Sequence, residues 1–154
     1  MLASGSKAAG FSLDNLSGGQ STLADFLARG PVLLVLYKVG CPTCQLAMPF
    51  LERISKGSLQ VVSISQDDQS GTARFRETFG IAMPTLLDRK NKGYPASNAY
   101  GITHVPSLFL VERDGVISYS GSGFRKPEIE ELGRRAGVAP VFGPEDHVPE
   151  WKPG

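Results

Sequence analysis

The sequence has little cysteine, little net charge and no long apolar run, and each scarcity excludes a class of protein. Two cysteines in 154 residues are too few for the disulfide framework of a small secreted domain. The net charge is only +1, from 16 basic and 15 acidic residues, so no field is expected to attract nucleic acid or an anionic membrane. The longest strongly apolar stretch, 31–37, is far shorter than the roughly 20 residues of a membrane-spanning helix. We therefore expect neither nucleic-acid binding nor a membrane span.

A chain of this length, with 41% hydrophobic residues, is long enough to form one domain around one core. Residues 1–10, MLASGSKAAG, contain no apolar run of signal-peptide length, and we expect a flexible N-terminus there. The absence of a signal predicts a cytoplasmic protein; the alternative is a periplasmic or envelope protein whose signal or anchor preceded Met1. Residues 138–154 contain four prolines and no periodicity, which predicts an irregular Pro-rich tail. The domain itself is then expected to span 11–137.

The two cysteines, Cys41 and Cys44, lie where the apolar run 32–37 gives way to a segment of helical period. Cysteines three positions apart at a helix start have their sulfurs on one side of the first turn, near enough to close a small disulfide ring. Unpaired N–H groups and the positive end of the helix dipole favour the ionised form of the first sulfur. Cys41 is therefore the predicted nucleophile and Cys44 the predicted resolving thiol.

The hydrophobic patterns around this pair alternate between strand and helix. The uninterrupted apolar segment 32–37 predicts a strand that is covered on both faces, and a helix follows Cys41. Residues 82–101 read as an insertion between core elements. The remaining predictions are strands near 11–20, 59–65, 107–111 and 116–119 and helices at 23–28, 70–79 and 126–136. This order indicates an α/β fold with a mixed sheet.

Two separated segments resemble the thioredoxin superfamily. In residues 32–54, an apolar strand leads into C-x-x-C, and Pro49 follows the second cysteine by five positions. Residues 100–110 read YGITHVPSLFL. The N-terminal piece and the insertion around 84–88 are similar to the redoxin branch of that superfamily. This branch holds the TlpA/ResA-type thiol-disulfide oxidoreductases and the alkyl hydroperoxide reductases.

The resemblance implies a thioredoxin-like fold, in which helices flank a central mixed β-sheet with an N-terminal β extension and an insertion before the cis-proline strand. It also implies that Pro106 follows a cis peptide bond and faces the redox pair. The backbone of Val105 would then be offered to the extended chain of a partner. Gly40, Pro42 and Thr43 complete the predicted substrate-binding surface.

The chain departs from the usual family pattern at two positions beside the cysteines. Gly40 stands where a tryptophan usually precedes the first cysteine, and Val35 stands where a buried acid often assists proton transfer. Lys38, Glu52 or water would have to replace that acid. Lys38 and His104 are also candidates for tuning the thiol pKa, because a positive charge near the sulfur stabilises the thiolate.

A metal site and a redox-inactive peptide-binding module are two alternatives to redox work. A closed zinc site needs four ligands, and the candidates here are two cysteines and two histidines, His104 and His147. His147 lies in the irregular tail, so we expect no metal site. A module that only holds a peptide would have no need of two cysteines.

A thiol-dependent peroxidase is the stronger alternative, because the redoxin branch includes peroxide-reducing members. Their nucleophilic cysteine usually follows a Pro-x-x-x-Thr/Ser-x-x pattern. For Cys41, the two defined positions hold Leu34 and Lys38. For Cys44, they hold Tyr37 and Cys41. The pattern is absent in both registers.

The preferred hypothesis is thiol-disulfide exchange with protein substrates, with this protein as the reductant. Cys41 would attack the substrate disulfide, and Cys44 would then resolve the mixed disulfide. No metal or organic cofactor is expected, since the redox-active disulfide is itself the reactive group. An upstream reductase would return the pair to the dithiol form. The sequence does not indicate the oligomeric state.

Overall fold

The computed structural model describes all residues from Met1 to Gly154. Five α-helices and nine strands alternate along the chain, with one 3-10 turn at Lys90–Lys92. The strands are β1 (Ser12–Asn15), β2 (Gln20–Thr22), β3 (Val32–Tyr37), β4 (Gln60–Ser65), β5 (Thr85–Leu87), β6 (Ser107–Val111), β7 (Ile117–Ser122), β8 (Phe124–Arg125) and β9 (Trp151–Lys152). The helices are α1 (Leu23–Leu27), α2 (Pro42–Ser55), α3 (Gln69–Phe79), α4 (Pro95–Tyr100) and α5 (Lys126–Arg135). None of these helices has the length and apolar character needed to cross a membrane.

Seven strands form one mixed sheet in the order β2-β1-β5-β4-β3-β6-β7. Strand β3 pairs parallel with β4 and antiparallel with β6, so the strand that leads into the cysteine pair lies inside the sheet. The predicted α/β fold with a mixed sheet is confirmed. The segment 82–101 is more than an insertion, because its strand β5 runs parallel to β4 and antiparallel to β1. It thereby joins the N-terminal hairpin to the main sheet.

Both faces of β3 are buried, as its continuous apolar sequence predicts. Leu33, Val35 and Tyr37 point into the core that α2 covers. The alternate residues, Val32, Leu34 and Leu36, point into the second core, on the other side of the sheet. Covering both faces fixes the position of β3, so the loop that follows it starts from a rigid base.

The N-terminal segment 1–10, which the sequence predicts to be flexible, is instead hydrogen-bonded along the body. Its Leu2 N–H donates to the Tyr100 carbonyl at 2.8 Å, and its Gly5 N–H donates to the Ile117 carbonyl at 2.7 Å. Lys7 also forms an isolated bridge with Val116. Residues without a periodic pattern can still pair their backbone groups with distant partners, and this is why the sequence does not show the contact.

Residues 138–154 are irregular apart from the two-residue β9, and some of them pack on the body. Val141 and Phe142 are buried, and the Phe142 ring lies 4.5 Å from that of Phe50. Asp146 forms an ion pair with Arg53 of α2 at 2.7 Å. Trp151, in contrast, is 55% exposed. The segment is therefore attached through its first half, and its last residues continue to the neighbourhood of the cysteines.

Candidate active site

Cys41 and Cys44 lie at the start of α2, directly after the rigid strand β3. Cys41 is the N-cap residue, with φ −85° and ψ 118°, and Pro42 occupies the first turn. Proline fits there because the N–H that it lacks would have no partner within the helix. The backbone N–H of Cys44 donates to the Cys41 Sγ at 3.1 Å, so the capping group of this helix is a sulfur. Both cysteines are free thiols.

The two thiols occupy different environments. Cys41 is half-buried, whereas Cys44 is fully buried in the core beneath α2. Burial, followed by the hydrogen bond with Cys41, raises the pKa of Cys44 well above the ordinary range of a thiol. Cys44 is thus held as a neutral thiol, while the more accessible Cys41 sulfur accepts a backbone hydrogen bond from the Cys44 N–H. This asymmetry fits one attacking and one resolving thiol.

The loop before β6 faces the cysteine pair. The peptide bond between Val105 and Pro106 is cis, and the Val105 carbonyl oxygen lies 3.4 Å from the Cys41 Sγ. The Ser107 hydroxyl donates to the His104 carbonyl at 2.6 Å and braces the same loop. The structure thereby brings together Cys41, Val105 and Pro106, although more than sixty residues separate them in the chain.

Gly40, Pro42 and Thr43 surround the sulfur on the side of α2. The first two are exposed, and a side chain at Gly40 would meet no atom within 4 Å. The surface beside Cys41 is therefore open where a tryptophan is usual. Thr43 is only 3% exposed, and its hydroxyl donates to the Pro153 carbonyl at 2.6 Å. The sequence contains no signal for this contact between residues 110 positions apart.

Lys38 and His104 are both exposed, and they line a cleft of about 440 Å³ beside the loop at Val105. The ring Nδ1 of His104 lies 2.9 Å from the Thr103 hydroxyl. The hydrogen-bond partners of the Cys41 sulfur are the Cys44 N–H and the Val105 carbonyl, and neither the Lys38 nor the His104 side chain is among them. The role of Lys38 and His104 in tuning the thiol remains a prediction.

Glu52 is unsuited to accept the proton of Cys44. It lies eight residues further along α2, a rise of about 12 Å at 1.5 Å per residue. Its carboxylate already accepts the N–H groups of Ala82 and Met83, each at 2.9 Å, and pairs with Lys56 at 3.1 Å. Burial opposes its ionisation, but these three partners outweigh burial and hold the pKa of Glu52 below its usual value. Its role is to anchor α2 to the segment before β5.

Asp67, at the end of β4, is the acid that the structure places beside the redox loop. Its Oδ2 accepts the N–H of Val39 at 2.8 Å and so fixes the chain just before Cys41. After burial and the Cys41 contact, its negative charge further raises the pKa of Cys44. The neighbouring Asp68 instead caps α3, its carboxylate accepting the N–H of Gly71 at 2.7 Å. The sequence does not distinguish these two roles.

The two cysteines are adjacent, but the structure brings no third candidate metal ligand to them. No three side chains among the histidines, cysteines, aspartates and glutamates come together in a way that would hold a metal ion. A closed zinc site with Cys41, Cys44, His104 and His147 would need four such donors around one point.

The sequence pattern of the AhpC/TSA family matches residues 4–120, which is most of the chain. This protein belongs to the AhpC/TSA family. One similar protein, the thiol-disulfide oxidoreductase ResA of Geobacillus thermodenitrificans, is 27% identical over 121 residues. That alignment covers 75% of this chain and 67% of ResA. The predicted membership of the redoxin branch is confirmed.

Solved structures similar to this AhpC/TSA protein show the same fold. The thioredoxin domain of the thiol-disulfide oxidoreductase BVU-2223 from Bacteroides vulgatus has a TM-score of 0.77 at 20% identity. The match covers 88% of this chain and 99% of that domain. Peroxidoxin BcpB from Mycobacterium tuberculosis has a TM-score of 0.72, also at 20% identity, with 88% and 98% coverage. The predicted thioredoxin-like architecture is confirmed, and it is shared by oxidoreductases and a peroxidoxin.

Proposed function

We propose that this protein is a thiol-disulfide oxidoreductase that reduces disulfides of protein substrates with the Cys41–Cys44 dithiol. One observation carries the proposal: an accessible sulfur that caps a helix lies one turn before a fully buried thiol. The kinship with ResA supports the same reaction. A redox-inactive binding module would have no use for this asymmetric pair.

The first step is attack by the Cys41 thiolate on one sulfur of the substrate disulfide. The Cys41–substrate bond forms as the substrate S–S bond breaks, and the departing thiolate takes a proton from solvent. The cis-proline loop with Val105 and Pro106 forms one wall for the substrate. Gly40, Pro42 and Thr43 form the other.

The second step releases the reduced substrate. Cys44 loses its proton and attacks the Cys41 Sγ, so the Cys41–Cys44 bond forms and the mixed disulfide breaks. The substrate gains two electrons and two protons, and the protein is left oxidised. An upstream thiol reductase would return the pair to the dithiol form, and the exchange needs no metal or organic cofactor. The raised pKa of Cys44 makes its deprotonation the demanding part of this step.

Trapping tests the assignment of the two roles. The Cys44→Ser variant should accumulate a long-lived mixed disulfide between Cys41 and a protein substrate, because the resolving thiol is missing. The matched Cys41→Ser variant should accumulate little, since its remaining thiol is buried. Non-reducing electrophoresis and mass spectrometry of the adduct measure both. Stronger trapping by Cys41→Ser would reverse the roles.

A thiol peroxidase is the second candidate, favoured by the family membership and by the fold shared with a peroxidoxin. The peroxidase sequence pattern before either cysteine is absent, which argues against it. Stopped-flow oxidation of the reduced protein by hydrogen peroxide separates the two candidates. A rate no faster than that of free cysteine would remove the peroxidase, whereas a much faster rate would displace the exchange reaction as the main activity.

The compartment is a separate question. The similar proteins do not support the predicted cytoplasmic location. The alternative, a location in the periplasm or envelope, is our proposal. The reading frame upstream of Met1 decides between them. An encoded export signal or anchor there would support envelope disulfide reduction, and a frame without one would support cytoplasmic thiol maintenance.

A further inference from the structure

Residues 151–154, which we call the strap, run between Thr43, at the start of α2, and the loop at Val105. On one side, the Pro153 carbonyl accepts the hydrogen bond of the Thr43 hydroxyl at 2.6 Å. On the other side, Gly154 lies against the backbone of Val105, so closely that a Cβ on Gly154 would collide with the Val105 carbonyl oxygen. The strap therefore connects the two walls between which a substrate has to reach Cys41.

The end of the strap lies close to the reactive sulfur. Gly154 and the Cys41 Sγ both lie close to the Val105 carbonyl oxygen, which places the Gly154 Cα no more than about 7 Å from the Sγ. An incoming disulfide must place its own sulfur in line with the Sγ, next to the same carbonyl. A flexible small molecule can reach the sulfur around the strap. A polypeptide that runs along the loop at Val105 would overlap it.

The strap is held by polar contacts at its base. Strand β9 pairs with β8, with Lys152 opposite Phe124 and Trp151 opposite Arg125. The Lys126 N–H donates to the Glu150 carbonyl at 2.9 Å. The close approach needs glycine at position 123, where a Cβ would come within 2.7 Å of the Lys152 carbonyl oxygen.

Little apolar surface secures the strap. The Trp151 ring is 55% exposed, whereas Val141 and Phe142, earlier in the same segment, are buried in the core. Segments with few buried apolar contacts open at low cost while the rest of the fold stays intact. The strap should therefore open by itself, with 138–147 remaining attached.

We propose that the strap is an intramolecular competitor of the substrate polypeptide, and that the surface beneath it is the docking surface for an extended chain. The inference rests on the proposed function of the Cys41 site. The docking surface consists of the Thr43 hydroxyl, the Val105 backbone and the edge of β8 that β9 occupies while the strap is closed. It fits an extended polypeptide segment that supplies a backbone carbonyl for Thr43 and pairs with β8, as Pro153 and β9 do.

Removing the strap tests the proposal. A chain that ends at Glu150 should reduce the disulfides of insulin with a KM about tenfold lower, if the strap leaves about a tenth of the protein open. Reduction of oxidised glutathione should change less than about twofold, because so small a disulfide does not need the β8 edge. Equal KM values for insulin in the two proteins would overturn the proposal.

A point variant tests the strap without shortening the chain. Gly154→Ala should displace the end of the strap from Val105 and lower the KM for insulin in the same direction. Gly143→Ala is the matched control, because its Cβ would meet only the Asp146 carboxylate at an ordinary 3.6 Å. An effect equal to that of the control would overturn the proposal.

Alkylation of Cys41 keeps this test independent of turnover. The measured quantity is the rate of Cys41 alkylation by a bulky maleimide–polyethylene glycol, divided by the rate with iodoacetamide. This ratio should be at least about fivefold higher in the chain without the strap than in the full chain, because the bulky reagent requires the open form. If neither protein reduces insulin, the proposed function fails, and the alkylation ratio alone decides the strap. An unchanged ratio would show that nothing covers Cys41.

Discussion

Replacing Phe142 by alanine tests whether residues 138–154 belong to the folded domain or form a separable tail. Phe142 is 8% exposed, and its ring lies 4.5 Å from that of Phe50 and 5.9 Å from that of Phe124. Phe→Ala substitutions at buried sites cost about 3–5 kcal/mol in free energy of unfolding, and a site at the edge of the core relaxes enough to give the lower value. We expect a loss of about 3 kcal/mol. In a domain of this size, that corresponds to a fall in Tm of about 6–12 °C.

The matched control is Trp151→Ala in the same segment. Because Trp151 is 55% exposed, its loss should change the free energy of unfolding by less than about 1 kcal/mol. Urea unfolding of the two variants and the parent protein, followed by far-ultraviolet circular dichroism, measures the difference. A change below about 1 kcal/mol for Phe142→Ala would refute the packing described above. The domain would then end near 137, as the sequence alone predicts.

Two further predictions follow from the charged and titrating groups. Glu52→Gln should lower the free energy of unfolding by about 1–3 kcal/mol, because the carboxylate accepts two backbone N–H groups and pairs with Lys56. The rate of insulin reduction should stay unchanged. A slower resolution of the mixed disulfide would instead show that Glu52 accepts a proton in that step. Since the folded pKa of Glu52 is lowered, its contribution is present at neutral pH and lost as the pH falls through the carboxyl range. The pKa of Cys44 is raised in the folded state, so this thiol has the opposite pH dependence. The reduced protein keeps its full free energy of unfolding below the unfolded thiol pKa of about 8.5. Above that pH, ionisation of Cys44 in the unfolded chain lowers the free energy of unfolding by up to about 1.4 kcal/mol per pH unit. Urea unfolding of the reduced protein between pH 8 and 10 should show a steeper decline than Cys44→Ser, and equal slopes would contradict the burial of that thiol.

The parts of the fold that the sequence predicts are those with local patterns. The continuous apolar run of β3 indicates burial on both faces, and the spacing of Cys41 and Cys44 indicates a pair at a helix start. The place of Pro106 opposite Cys41 came from the resemblance to a family, because nothing in the local pattern connects residues so far apart. Only the burial of β3 and the position of the cysteine pair are encoded by a few consecutive residues.

The remaining features depend on backbone and polar contacts between distant residues. The hydrogen bond from Thr43 to Pro153 and that from Val39 to Asp67 join irregular segments, and such contacts have no period that a pattern could reveal. Strand β5 has only three residues, Thr85–Leu87, too few to show alternation. The proline-rich composition of 138–154 correctly indicates irregular backbone. Whether such backbone is packed depends on single residues such as Phe142.

The pairing of β1 with β5 has a consequence for the order in which the chain folds. Within the main sheet, the N-terminal hairpin touches only β5, through pairs such as Asp14 with Leu87, which lie 73 positions apart. Closing so long a loop costs conformational entropy, and the three-residue strand β5 can offset that cost by pairing with β1 only after β5 has paired with β4. The hairpin is therefore expected to dock only after β5 has paired with β4, although it is synthesised first. During synthesis on the ribosome, β1 and β2 would remain without their partner β5 until more than half of the chain has been made.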